Sequence, residues 1–356
     1  MITLFGATGY TGRLIAHHLD QSGLPFRISG RSAEKLSALS ASLNSHPVCI
    51  TADATQPASL PPLFRETKVF VNCAGPFTDL GEKVIGQAAV NGVHYLDITN
   101  ELGFVYRAQT YSKLAQQNRA VLIPACGFEV ALADFAAAHL AKVLPGPYRE
   151  AHVTYHLPGK GSSIGTRRSA LRSLATSWII YRDGQWTGQT PGNATCRTHL
   201  SAGLTAALSF PSSESITFPS HLDVQNVHTW MTTSFAGRIF APVLIPFFSR
   251  VLRSILRDPI LSLASINPPP NTGLRSLDPF EIKVTLCNPQ ESRAVSITGK
   301  GAYDLTANII GFAAKRLLYE PQNSFGCLPP SALGDPNIFF ETAAAWGVAI
   351  DEVASD

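Results

Sequence analysis

The chain has 356 residues, 45% hydrophobic and only 15% charged, with a net charge of +3. The apolar content supplies a sizeable core and excludes a disordered chain, while so small a net charge does not by itself imply a nucleic-acid partner. The 27 glycines and 25 prolines follow no repeating period, which excludes collagen-like and low-complexity classes, and the length predicts about two domains.

The first 125 residues alternate short apolar runs with helix-like segments. Strands are predicted at Ile2–Phe5, Phe26–Ser29, Val48–Thr51, Val69–Cys73, His94–Ile98 and Ala120–Ile123. Helices are predicted around 11–20, 33–43, 58–64, 81–91 and 102–118. This alternation implies crossover connections and an α/β fold, a doubly wound parallel sheet of the Rossmann type.

Between the first strand and first helix runs Gly6-Ala7-Thr8-Gly9-Tyr10-Thr11-Gly12. Such a turn lets backbone N–H groups and a helix N-terminus meet a pyrophosphate. Three glycines alone would equally make a structural turn; their place after a strand and before a helix points to a dinucleotide. An acidic residue after strand two would accept from the ribose hydroxyls of NAD. Here Ser29-Gly30-Arg31-Ser32 stands there, and an arginine suits a 2′-phosphate, with Ser32 and Lys35 close enough to assist. NADP(H) is therefore the expected cofactor. Asp53 and Ala54 follow strand three at the adenine, and Cys73-Ala74-Gly75-Pro76-Phe77 follows strand four, where small residues admit the cofactor's backbone. No tyrosine is followed four positions later by lysine, so the proton relay of the short-chain reductases is missing.

From about residue 150 the pattern changes. Val153–His156 and Phe280–Leu286 read as strands of a second, α+β domain with a mostly antiparallel sheet. Helices are predicted at 302–319 and 335–347. The expected division is a nucleotide domain at 1–125, a substrate or dimerisation domain at 126–300, and a C-terminal segment at 301–356 packing back towards the first. Residues 145–275 hold 12 Lys/Arg against 5 Asp/Glu, and 276–356 hold 5 against 10, so the near-neutral total conceals a basic middle. The most apolar run, 239–248, is flanked by Arg238, Arg250, Arg253 and Arg257. It is too short and proline-broken to span a bilayer. It reads as core or homodimer interface, as a wall for an acyl chain, or, over 239–256, as a peripheral membrane contact.

None of the six cysteines forms a CxxC pair, which reads as reduced thiols in a cytosol-like compartment. The opening strand-like run shows no signal-peptide pattern. A cytoplasmic location, possible contact with a membrane surface included, is the expectation. No metal is expected, because no cysteine or carboxylate completes a ligand pattern around His152 and His156.

The glycine loop, the Gly30-Arg31 turn and Val71–Phe77 together resemble the saccharopine dehydrogenase-like oxidoreductases. Gly81-Glu82, His94–Glu101 and Pro124-Ala125-Cys126-Gly127-Phe128-Glu129 extend the resemblance, which is nearest the trans-acting enoyl reductase branch. Ser163–Ser169, Gly301–Ala307 and Leu328–Ala332 also resemble motifs of that branch. Glu129–Asp134 and Ile164 depart from it, at positions that should border nicotinamide and substrate. The resemblance implies NADPH-dependent reduction of an activated C=C bond in a hydrophobic, acyl, polyketide or isoprenoid-like substrate. Its alternatives are C=N reduction, as in the amino-acid branch, and a non-catalytic NADP-binding, lipid-associated protein. Residues after strands four to six face the ligand in such a sheet. Glu129, Cys126 and Tyr155 are the candidate proton donors, although Cys126 reads more readily as a small buried residue and Glu129 equally as a helix cap. Glu101, Phe128, Ser163, Thr166 and Arg167 are the candidate substrate contacts.

Overall fold

In the computed structural model the described residues are 1–158, 178–189, 192, 194–234, 240, 244, 245 and 278–355. The chain forms two compact units, Met1–Ala131 with Tyr303–Leu333, and Leu132–Ala302 with Gly334–Asp356. The expected C-terminal segment 301–356 is thus divided between them.

The first unit is built on a parallel sheet of seven strands. Six are β1 (Ile2–Phe5), β2 (Phe26–Gly30), β3 (Cys49–Thr51), β4 (Val69–Asn72), β5 (His94–Asp97) and β6 (Val121–Ile123). Their spatial order, β6-β5-β4-β1-β2-β3, is the doubly wound one, with the switch in direction between β1 and β4. β1, β4, β5 and β6 are buried along their whole length, as continuous apolar runs between two helical layers must be. The connections include α1 (Tyr10–Gln21), α2 (Ala33–Ala41) and α3 (Phe77–Val90), then α4 (Leu102–Ala108) and α5 (Ser112–Gln117) before β6.

The helix expected over 58–64 is instead two 3-10 turns, Pro57–Ser59 and Pro61–Leu63. Pro57, Pro61 and Pro62 lack the N–H groups that a continuous α-helix would need. A seventh strand, Gly326–Cys327, adds parallel to β6 at the sheet edge. The helix Ala302–Tyr319 packs on α1, where a side chain at Gly311 would collide with the His18 ring.

The helix Phe128–Val143, α6, leaves the first unit after Ala131. Within the second unit Phe135 stacks face to face on Phe339, ring centroids 3.8 Å apart. This unit has a nine-stranded mixed sheet. Tyr148–His156 (β7) pairs antiparallel with Pro279–Cys287, which pairs antiparallel with Ser292–Lys300. Val224–Thr232 lies on the other side of β7 and is parallel to it, the one parallel pairing among the described strands of this sheet. An acidic edge strand, Ala349–Val353, closes the far side. The last predicted helix is Pro336–Ala344, started by Asp335, whose carboxylate accepts from the Asn337 N–H at 2.8 Å.

Candidate functional site

The carboxyl ends of β1, β2, β4, β5 and β6 converge in the first unit, and the glycine loop lies at their centre. Gly6 has φ of +79°, a conformation few side chains adopt. A Cβ there would also stand 2.7 Å from the Ala74 nitrogen and the Cys73 carbonyl carbon. A Cβ on Gly12 would overlap the Gly6 carbonyl oxygen and approach Ala7 Cα to 2.9 Å. The loop is therefore pressed against the end of β4 on one side and its own helix on the other. Gly9 caps α1 without a side-chain hydrogen bond. Thr8, Tyr10 and Thr11 complete the turn, and Tyr10 meets the Tyr303 ring edge-on at 4.9 Å.

The end of β2 closes on this loop. The Ser29 carbonyl accepts from the Gly6 and Ala7 N–H groups at 2.9 and 3.1 Å. Ser29 Oγ is fully buried and has no hydrogen-bond partner among the described residues. A Cβ on Gly30 would lie 3.5 Å from Thr8 Oγ1, so the two turns are in contact range. Arg31 and Lys35 are exposed. Ser32 caps α2 by accepting from the Lys35 N–H at 3.3 Å. Beyond β3, Asp53 accepts from the Thr55 N–H and hydroxyl, both at 2.9 Å, which holds its carboxyl below the usual range; Arg31 adds to this. Ala54 is buried behind it. A dinucleotide's diphosphate fits this cradle, which excludes side chains where a ligand must approach backbone.

After β4, Cys73 and Ala74 lie against Gly6, and the Ala74 N–H donates to Asn72 Oδ1 at 2.9 Å. Asn72 in turn donates to the Tyr95 hydroxyl at 3.0 Å. Burial pushes the Cys73 thiol well up, so it stays protonated near neutral pH. Pro76 precedes α3, whereas the Phe77 ring is buried against Phe104, 5.8 Å away.

Two carboxylates hold this end of the sheet together. Glu101, only 3% exposed, accepts from the Phe77 N–H at 3.2 Å and the Thr78 N–H at 2.7 Å. It caps α3 from a distant loop, where a helix N-terminus favours negative charge. Asp97 shows in the sequence only as a carboxylate ending the apolar strand His94–Asp97. It is fully buried, and its Oδ1 accepts from the Thr99 and Ala125 N–H groups at 3.0 and 2.9 Å. Ala125 sits at φ of +59°, so Asp97 fixes the turn into Cys126 and Glu129.

Burial pushes the Asp97 carboxyl from 3.8 to about 7. Between those values the folded chain keeps a proton that the unfolded chain has lost. Stability contributed by this group is therefore full below pH 3.8 and lost as pH rises through about 7. Asp97→Asn keeps an acceptor and should flatten that fall in a urea titration series. Asp97→Ala leaves two buried N–H groups without a partner and should cost roughly 2–4 kcal/mol.

Of the proposed proton donors, Cys126 is fully buried and its N–H donates to the Asp97 carbonyl at 2.8 Å. Glu129 is half-buried in the first turn of α6. Its carboxylate folds back over Gly127, where a Cβ would lie 3.6 Å from Oε2 and 3.5 Å from the Ile98 carbonyl oxygen. Glu129 is thus held at the carboxyl ends of β5 and β6. Phe128 is buried and donates its N–H to Thr306 Oγ1 at 3.3 Å. Tyr155 lies in the second unit, fully buried, with its hydroxyl on the Glu214 carboxylate. Burial also raises the Glu214 carboxyl. Ser163, Thr166 and Arg167 lie outside the described residues, as does 239–256 except for Phe240, Leu244 and Ile245.

This geometry defines a dinucleotide-binding domain of the Rossmann class. Residues 2–123 match the family model described as the saccharopine dehydrogenase NADP binding domain. The match covers residues 2–123 alone and marks that stretch as an NADP(H)-binding domain. A trans-acting enoyl reductase from Mycobacterium ulcerans is 31% identical over 195 residues, 51% of this chain and 47% of the relative. A lipid droplet localized protein from Caenorhabditis elegans is 31% identical over 157 residues, 41% of this chain and 37% of the relative. The chain thus spans about half or less of the length of these relatives. Over 99% of both chains the fold resembles apo saccharopine dehydrogenase (L-Glu forming) from Saccharomyces cerevisiae, with a TM-score of 0.63 at 13% identity. Among the described residues no helix is long and apolar enough to cross a membrane.

Proposed function

We propose that the protein is an NADPH-dependent reductase that delivers hydride to an activated C=C bond of a hydrophobic, acyl-type substrate. The observation that carries this reading is the glycine cradle at the end of β1 with Arg31 at the end of β2. The likeness to a trans-acting enoyl reductase supports the reaction type.

In this reading the Gly6–Gly12 turn and the amino end of α1 hold the diphosphate, and Arg31 holds the 2′-phosphate as a bidentate, permanently charged partner. NADPH supplies the hydride. Ala74 and the turn after β4 keep side-chain bulk away from it. Asp97 positions the turn from which Glu129 reaches the carboxyl end of the sheet, and Glu129 is the proton donor in this reading. An acid at this place would protonate the carbon left electron-rich by hydride addition.

The test is NADPH consumption with a panel of α,β-unsaturated acyl thioesters, beside a keto acid offered with an amine. Turnover of the thioesters, reduced at least tenfold in Glu129→Gln with NADPH binding unchanged, is the expected result. Turnover of only the keto acid–amine pair would establish C=N reduction instead.

The likeness to a lipid droplet localized protein, together with the exposed Phe240 (59%) and Leu244 (57%), favours a second property. We propose that 239–256 touches a lipid surface peripherally. Flotation with phosphatidylcholine liposomes should carry the protein upward, and Phe240→Ser with Leu244→Ser should release it. NADPH binding with flotation but no turnover on any panel member would leave the non-catalytic, lipid-associated reading standing.

A further inference from the structure

The sheet of the second unit carries a side-chain cluster that neither the glycine cradle nor the proposed reduction uses. In β7 the two-residue period of a strand puts Glu150 and His152 on one face. Parallel pairing with Val224–Thr232 sets His228 beside His152. The two imidazoles stack with centroids 4.8 Å apart and planes 17° apart. His152 Nε2 lies 2.9 Å from Glu150 Oε2. One donor atom from each of the three residues lies within 4.8 Å of the other two. All three side chains are half-buried, which leaves the cluster open to an ion yet partly shielded from water.

By sequence spacing alone, His152 groups with His156, and no cysteine or carboxylate completes a ligand pattern around them. His156 instead contacts Thr232 Oγ1 at 2.9 Å, and Glu150 supplies the carboxylate. The third member comes from a strand 76 residues further on and is brought in only by strand register.

We propose that Glu150, His152 and His228 form a binding site for a late first-row divalent metal ion, of the zinc or nickel class, through two imidazole nitrogens and one carboxylate oxygen. Two imidazoles and a carboxylate are a donor set that zinc accepts in open sites, with water completing the coordination. Imidazole donors favour such ions over magnesium or calcium, which take oxygen. Arg149 lies 4.0 Å from Glu150 and competes with an ion for that carboxylate. Cys287 stands directly across from Glu150 in the neighbouring strand and on the same face.

The hydrogen-bond network shows what metal binding must rearrange. Trp230 Nε1, which can only donate, lies 3.4 Å from His152 Nδ1. Without metal, Nδ1 therefore accepts from Trp230, and Nε2 donates its proton to Glu150. A metal at Nε2 takes the place of that proton, which moves to Nδ1, where the Trp230 N–H opposes it. No proton need leave the ring. The Trp230 N–H thus acts against the metal-binding tautomer.

The experiment is calorimetric titration of the chelator-stripped full chain with zinc sulfate and nickel chloride, followed in parallel by tryptophan fluorescence. One ion per chain is expected, lost in His228→Ala and in His152→Ala, and weakened at least tenfold in Glu150→Gln. Trp230→Phe should tighten binding several-fold, an outcome that a merely destabilised fold would not produce. Unchanged NADPH binding and circular dichroism confirm that each variant is folded. Absence of binding in the wild-type chain would overturn the proposal. So would binding that persists in a folded His152→Ala, His228→Ala double variant, or that Trp230→Phe fails to strengthen.

Discussion

Gly12→Ala is expected to weaken NADPH binding by roughly 10–100-fold, the equivalent of a 1–3 kcal/mol overpacking strain. The added methyl group would overlap the Gly6 carbonyl oxygen and crowd Ala7 Cα at 2.9 Å. Both obstacles are backbone, so neither can rotate aside. Relief requires α1 to move away from the loop, and the helix N-terminus then no longer meets the diphosphate. Fluorescence titration with NADPH measures the loss. Affinity equal to the wild type would mean that the loop does not hold the nucleotide as described.

The second large effect concerns the choice between nicotinamide cofactors. Arg31→Ala should lower NADPH affinity by roughly 10–100-fold while leaving NADH affinity nearly unchanged, because charge-assisted hydrogen bonds contribute about 1.5–3 kcal/mol. Arg31 is exposed at the end of β2 and lies near the ionised Asp53. That proximity keeps the guanidinium beside the end of β2 without burying it. An exposed charge is screened by salt, so the preference for NADPH should also shrink as ionic strength rises. Parallel titrations with the two cofactors, at low and high salt, check both statements.

Much of the nucleotide domain is legible in the sequence, for physical reasons that particular residues show. Ile2–Phe5 and Val69–Asn72 are short apolar runs bounded by turn residues, and each is a buried strand. The glycine spacing is legible because a side chain at Gly6 or Gly12 has nowhere to go. The 302–319 helix is legible from its apolar period, and its observed bounds are Ala302–Tyr319.

What escaped the sequence depends on distant partners. Glu101 looked like a ligand contact at the end of β5, but its carboxylate caps a helix that begins 24 residues earlier in the chain. Asp97 reads as one acid in a strand until its burial and its two backbone donors are seen. Tyr155 has the hydroxyl of a proton donor, yet it is spent on Glu214, 59 residues away. Gly326–Cys327 is too short to show strand periodicity and exists by pairing with Val121-Leu122. The Glu150, His152 and His228 cluster likewise depends on the register of two parallel strands.

The most direct test of the central claim follows the hydride itself. The protein is incubated with an α,β-unsaturated acyl thioester and NADPH deuterated at the transferring position of nicotinamide C4, and the product is analysed by mass spectrometry. One deuterium is expected at the β-carbon of a saturated product, formed roughly 10–100-fold more slowly in Gly12→Ala at subsaturating NADPH. Tight NADPH binding with no deuterium in any thioester product, or deuterium found only on a carbon attached to nitrogen, would contradict it.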